Sequence, residues 1–210
     1  MTRATDQSTR DRLLQTAGRM FAEKGFRGTT VRDICRRARA NLAAVNYHFG
    51  GKRKLYAEVL ASTFARIIEK YPPDVGQAEA RTPEERLYAF VRAFLLRMLD
   101  PEQPAWHRRL IAREMAEPSP EMHRVHAAVM KRPQRILRGI LVELLGPRTT
   151  PGDVDLNMAS IAGQCLFYHR RHAVSRVLRR VRLTPESVDR LAHHITDFSL
   201  NGLKGRRGGL

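Results

Sequence analysis

The chain has 210 residues, 42% hydrophobic and 28% charged, enough for one large or two small domains with a real core. Its two distant cysteines, Cys35 and Cys165, form no CxxC pair, the N-terminus "MTRATDQSTRDR" has no signal-like apolar run, and the longest nearly apolar stretch, "MASIAGQCLFY", is well short of a bilayer span. These features set aside a disulfide-stapled secreted scaffold and a membrane protein and point to a cytoplasmic one, while a net charge of +17 asks for a polyanionic partner.

The cations are densest at the start: residues 1–60 hold 13 Lys/Arg against 5 Asp/Glu, and residues 61–210 hold 25 against 16. Every periodic segment reads as helix and none alternates like a strand. The first, 8–24, puts Leu13, Leu14, Ala17, Met20 and Phe21 on one face and stops at Gly25. A second opens at Thr30 with "TVRD", where Asp33 can reach back to the cap, and buries Val31, Ile34, Cys35 and Ala38. A short third runs from Asn41, a good N-cap, to Phe49 and closes at Gly50. The fourth, 52–70, begins with three cations, Lys52-Arg53-Lys54. They oppose the helix macrodipole, so an anion is expected at that end.

Further helices are expected at 83–99, 104–116, 119–145, 153–180 and 185–203, separated by Pro-containing stretches. Pro133 should kink or divide the 119–145 segment. The fold class is all-α, a three-helix head followed by a helical bundle. The expected divisions are a head over 1–51, a connecting helix over 52–71, a body over 72–203, and a flexible tail over 204–210.

Helices 30–38 and 41–49, joined at Arg39-Ala40, have the proportions of a helix-turn-helix. The second helix is small on its outer face (Leu42, Ala43, Ala44, Asn46), so it can approach base edges. Arg32 and Lys52 flank it in the first turns of neighbouring helices, where phosphates meet free backbone N–H groups.

Over residues 8–60, "FAEKGFRGTTVRDICRRARANLAAVNYHFGGKRKLYAEVL" resembles the head of the TetR family of bacterial transcriptional regulators. "AREMAEPSP", Pro133 and "GQCLFY" resemble its CecR-like (YbiH-like) branch more loosely. Two positions depart from the family: Arg39 stands where Gly is usual, implying a strained or altered turn or a longer helix, and Gly51 stands for the usual Ser. The resemblance implies a repressor that binds a palindromic double-stranded operator as a homodimer and is released by a small-molecule effector. It implies phosphate contacts at Thr30, Tyr47, His48 and Lys52. It turns Arg32, Leu42, Ala43, Ala44 and Asn46 toward the groove, with Asn41 in the same set, and Val45 and Phe49 inward.

A four-helix dimer interface is expected from the wide apolar faces of the last two helices, at Met158, Ile161, Cys165, Leu191, Ile195 and Phe198, unless those faces bury within the monomer. An effector pocket implied by the resemblance draws on Phe90, Phe94, Met98, Trp106, Arg113 and Phe167, with Met115 and Met122 nearby; Arg113 and Glu114 either orient the ligand or form a solvated pair. Cys165, His169 and His172, at i, i+4 and i+7, make a metal-responsive repressor an alternative, with His123 and His126 as a second pair, although Arg170 and Arg171 oppose a cation. The basic amphipathic "RRHAVSRVLRRVR", 170–182, suggests an architectural or membrane-surface protein as a further alternative. No catalytic signature such as GxSxG, HExxH or a P-loop is present, so an enzyme is not expected, nor a cofactor or resident metal.

Overall fold

A computed structural model describes residues 2–168 and 187–207. Among these residues there are nine helices and no strand: α1 Thr2–Lys24, α2 Val31–Ala38, α3 Ala43–Phe49, α4 Lys52–Lys70, α5 Pro83–Leu99, α6 Ala105–Ala116, α7 Pro120–Leu145, α8 Pro151–Phe167 and α9 Ser187–Arg207. They fall into two compact units, one of residues 1–66 and 102–129, the other of residues 67–101 and 130–210. Residues 102–129 thus group with residues 1–66.

In the first unit α1 packs against α2, α3 and α6. Leu13, Ala17 and Phe21 from α1, Ile34 from α2, Val45 from α3, Leu55 and Val59 from α4 and Leu110 from α6 are fully buried. The Phe21 and Tyr56 rings meet edge to face at 4.7 Å, an arrangement that aromatic quadrupoles favour. Gly18 lets α6 approach α1: a Cβ there would lie 2.4 Å from Trp106 Cζ3. Trp106, expected to line an effector pocket, is half-buried in this seam.

In the second unit α5, α8 and α9 pack on one another. Leu87, Phe90, Val91 and Leu95 of α5, Leu137 and Leu141 of α7, Val154, Ile161 and Cys165 of α8 and Leu191 and Ile195 of α9 share one core. Thr82 starts α5 with a capping box: its hydroxyl accepts from Glu85 N at 3.1 Å and Glu85 Oε2 accepts from Thr82 N at 3.3 Å. Thr150 and Asp153 do the same for α8. Both boxes satisfy N–H groups that a helix start leaves open.

Three expectations are corrected. Of the two outcomes expected at Pro133, division does not occur: Pro133 is buried and α7 runs unbroken from Pro120 to Leu145. The helix expected over 153–180 ends at Phe167, with Tyr168 as its C-cap, and the rest of that segment lies outside the described residues. Ile161, Cys165, Leu191 and Ile195, expected at a dimer interface, are at most 5% exposed because α5, α8 and α9 cover them within the chain. Met158 packs against the same core, while Phe198 is 65% exposed.

Candidate nucleic-acid interface

The helix-turn-helix is held by local bonds. Thr30 caps α2, accepting from Asp33 N at 3.1 Å and donating its hydroxyl proton to Asp33 Oδ2 at 2.7 Å. That hydroxyl, with Arg36 behind it, holds the Asp33 carboxyl below the ordinary range. Arg39 then turns the chain at φ 50°, ψ 49°, its N–H returning to the Arg36 and Cys35 carbonyls. It is the only described non-glycine residue with positive φ, a conformation that costs an L-residue about 1–2 kcal/mol. The departure from glycine is thus met by a strained left-handed turn and not by a longer helix.

Asn41 Oδ1 accepts from Ala43 N at 2.9 Å, so α3 starts at Ala43 with Asn41 folded onto its first turn. Gly50 closes it at φ 68° and Gly51, at φ 115°, leads into α4. On this seven-residue helix Val45 and Phe49 are buried, while Asn41, Leu42, Ala43, Asn46 and Tyr47 are exposed and Ala44 is half-covered. Tyr47 is 77% exposed and Leu42 52%. Arg32, on α2, is also exposed. The outward face is a low ridge of small side chains with one amide, Asn46, and one phenol, Tyr47.

Two expected phosphate contacts sit differently. The His48 side chain retains 8% exposure, with Nε2 3.4 Å from Asp6, so it faces α1 and not outward. The Lys52 ammonium lies 4.3 Å from the centre of the Phe26 ring, and burial pulls its pKa below the usual lysine range. Lys54 folds over Gly50, so that a Cβ at that glycine would meet its Cδ at 3.2 Å. Arg53 remains exposed, 4.0 Å from Glu121. The cation on the ring was not legible locally, because Phe26 precedes Lys52 by a full helix-turn-helix.

Sequence reasoning also missed a network below this head. Glu114, 3% exposed, accepts from Tyr56 Oη and from Ser119 N and Oγ, the last two at 2.9 Å. Burial and this carboxylate push the Tyr56 phenol well above its ordinary pKa. Arg113 reaches the Glu23 carbonyl at 3.5 Å instead of pairing with Glu114. Both border a cleft of about 540 Å³ with Phe26, Arg53, Tyr56 and Glu121. Of the remaining effector candidates, Met115 and Met122 also lie in the first unit, exposed and buried respectively, while the second unit holds Phe90 in its core, Phe94 and Met98 half-buried, and Phe167 exposed. His169 and His172 lie outside the described residues. Cys165 is fully buried, and its thiol is pushed up to about 12 by that burial. Among the described residues no three His, Cys, Asp or Glu side chains gather as a metal site, and no helix is long and apolar enough to cross a membrane.

Residues 13–59 match "Bacterial regulatory proteins, tetR family", and residues 83–203 match "HTH-type transcriptional dual regulator CecR, C-terminal domain". The HTH-type transcriptional repressor NicS of Pseudomonas putida is 27% identical over 210 residues, covering 93% of this chain and 92% of that one. CecR of Shigella flexneri is 26% identical over 77% of this chain and 76% of its own length, whereas YttP of Bacillus subtilis and KstR2 of Mycolicibacterium smegmatis are matched over only about two-fifths of theirs. A crystal structure from Pseudomonas aeruginosa PAO1 superposes with a TM-score of 0.70 at 21% identity, covering 94% of this chain and 92% of the other. The regulator FadR of Bacillus subtilis, solved with stearoyl-CoA, gives 0.65 at 18% identity over 91% of this chain and 97% of FadR. These structures share the fold.

Proposed function

Because the chain belongs to the TetR family of DNA-binding transcriptional regulators, with a C-terminal domain of the CecR type, we propose that it is a cytoplasmic repressor that grips a palindromic operator as a dimer. A small molecule bound in the second unit releases it. The observation that carries the DNA side of this reading is the outward face of α3, where Leu42, Ala43, Asn46 and Tyr47 stand exposed while Val45 and Phe49 anchor the helix from below. Asn46 reads a base edge, Ala43 and Leu42 pack against thymine methyls, and Tyr47 takes a phosphate. Thr30, Arg32, Asn41, Ala44 and Lys52 complete the interface, Lys52 by swinging off the Phe26 ring.

A single head reads only a few base pairs, so two must be spaced by one turn of DNA, about 34–36 Å. The second unit offers a surface for that pairing. On α8 Leu156, Ala159, Ser160, Gly163 and Phe167 form an exposed stripe, and on α9 Phe198 stands 65% exposed beside His194. Gly163 and Gly202 have nothing within 4 Å of where a Cβ would be, leaving room for a second copy's helices to approach closely. Metal-triggered release is not favoured by Cys165, whose buried thiol stays protonated and so is no ligand as it stands.

Selection of bound fragments from random duplexes tests this reading. Two inverted half-sites about 10 base pairs apart, with one protein dimer per duplex, are expected. Enrichment of no sequence, or of an unsymmetric one bound by a monomer, would overturn it.

A further inference from the structure

We propose that Arg97 is the counter-charge for the effector, and that the effector is a monocarboxylate with an apolar body. This rests on the reading that a small molecule occupies the second unit, and it names that molecule's class. Arg97 lies on α5 and is only 7% exposed. Its Nη1 donates to the Tyr71 carbonyl at 2.8 Å, and the guanidinium carbon lies 5.5 Å from the centre of the Phe94 ring. Neither partner carries a full negative charge. The nearby Cys165 does not supply one either, since its thiol is held protonated by burial. Burial lowers the guanidinium pKa to about 10, still far above neutrality, so the charge persists.

Five other cations of this unit have acidic partners, and described cations without a carboxylate partner, such as Arg81, Arg135 and Arg148, are exposed to solvent. Lys70 meets Asp100 at 2.9 Å, Arg92 meets Asp189 at 2.6 Å, Arg132 meets Asp74 at 2.6 Å, and Arg86 and Arg138 pair with Glu143 and Asp155. Those cations are more exposed than Arg97 and need their partners less. An arginine buried without a carboxylate carries a steep desolvation penalty; water solvates the exposed unpaired cations but not this one, which leaves its charge open for something that arrives later.

The geometry limits what that is. A guanidinium presents its donors as a planar fork that matches a carboxylate in two parallel hydrogen bonds, and among the described residues only Nη1 has a partner here. One uncompensated positive charge balances one negative charge, whereas a phosphate monoester dianion would leave a buried surplus. Phe90, Phe94 and Met98 share the helix with Arg97, and the last two are only half-buried, so a ligand reaching the charge from the surface slides along apolar side chains.

The test uses the full-length protein with benzoate, 4-phenylbutyrate, octanoate and decanoate, each beside its primary amide, and reads thermal shift and release of the selected operator. Acids are expected to raise the melting temperature of the wild type by roughly 5–10 °C at a hundred times their Kd, while amides do not. Arg97→Met should melt at or above the unliganded wild type and lose the acid shift, and Arg97→Lys should keep part of it. No acid-dependent shift in the wild type, equal shifts by acid and amide, an acid shift surviving in Arg97→Met, or an Arg97→Met protein melting well below wild type would each overturn the proposal. A wild type that holds its operator yet ignores every acid sinks this inference alone. An acid shift in a protein that holds no operator supports the carboxylate site and sinks the regulator reading instead.

Discussion

Replacing Tyr56 with Phe removes one hydroxyl and leaves the ring that packs on Phe21 in place. The hydroxyl donates to Glu114, whose carboxylate is 3% exposed and has Ser119 N and Oγ as its other donors. A hydrogen bond to a buried ionised acceptor contributes about 1.5–3 kcal/mol, and for a chain of this length each kcal/mol moves the melting temperature by about 2–4 °C. Tyr56→Phe should therefore melt roughly 3–12 °C below the wild type. Trp106, the single tryptophan of the chain, sits in the same unit against Gly18, so its fluorescence follows this unit directly. Ser119→Ala removes a second donor. The double variant leaves the carboxylate with one backbone N–H, so its loss should exceed the sum of the single losses by about 0.5–3 kcal/mol. A melting point within 1 °C of wild type, or strictly additive losses, would refute the shared buried carboxylate.

Arg39→Gly relieves the left-handed turn at φ 50°. It should stabilise the head by about 0.5–1 kcal/mol after glycine's extra unfolded-state entropy is subtracted, seen as a higher urea midpoint at unchanged slope. His107 is 3% exposed, and its pKa is lowered to about 4, first by burial and then by the Arg66 charge. Between pH 6.5 and 4 the unfolded chain binds the extra proton, so this residue's contribution is present at neutral pH and lost on acidification. His107→Gln should then be less acid-sensitive than wild type by about 3 kcal/mol across that window, measured by urea unfolding at pH 7 and pH 4. Phe198→Glu places a charge on the exposed stripe of α9 and should shift sedimentation from dimer to monomer while leaving the far-ultraviolet spectrum unchanged; a dimer that persists would move the interface elsewhere.

Where periodicity and capping are local, the fold could be read from the chain. Gly50-Gly51 marks the start of α4 and Thr82-Pro83 that of α5, and both helices run as expected from the sequence. Val45 and Phe49 inward, Asn46 and Tyr47 outward, follow from the helical period over seven residues. What was not legible depends on distant partners. The apolar faces of α8 and α9 are the same whether their own chain or a second copy covers them, and Ile161 and Leu191 prove to be buried in a core shared with α5 of the same chain. Lys52 on Phe26, and Glu114 under Tyr56, join residues that no short pattern brings together. Arg97 did leave a signal: it falls seven residues after Phe90 and three after Phe94, a cation on the apolar stripe of α5.

The most direct measurement compares Asn46→Ala with the wild type on the selected operator and on an unrelated duplex over a range of salt. The operator Kd should rise about 5- to 150-fold, the worth of one bidentate base contact, while affinity for the unrelated duplex and its salt slope stay as they were. An equal loss on both duplexes, or none on the operator, would contradict a base-reading α3.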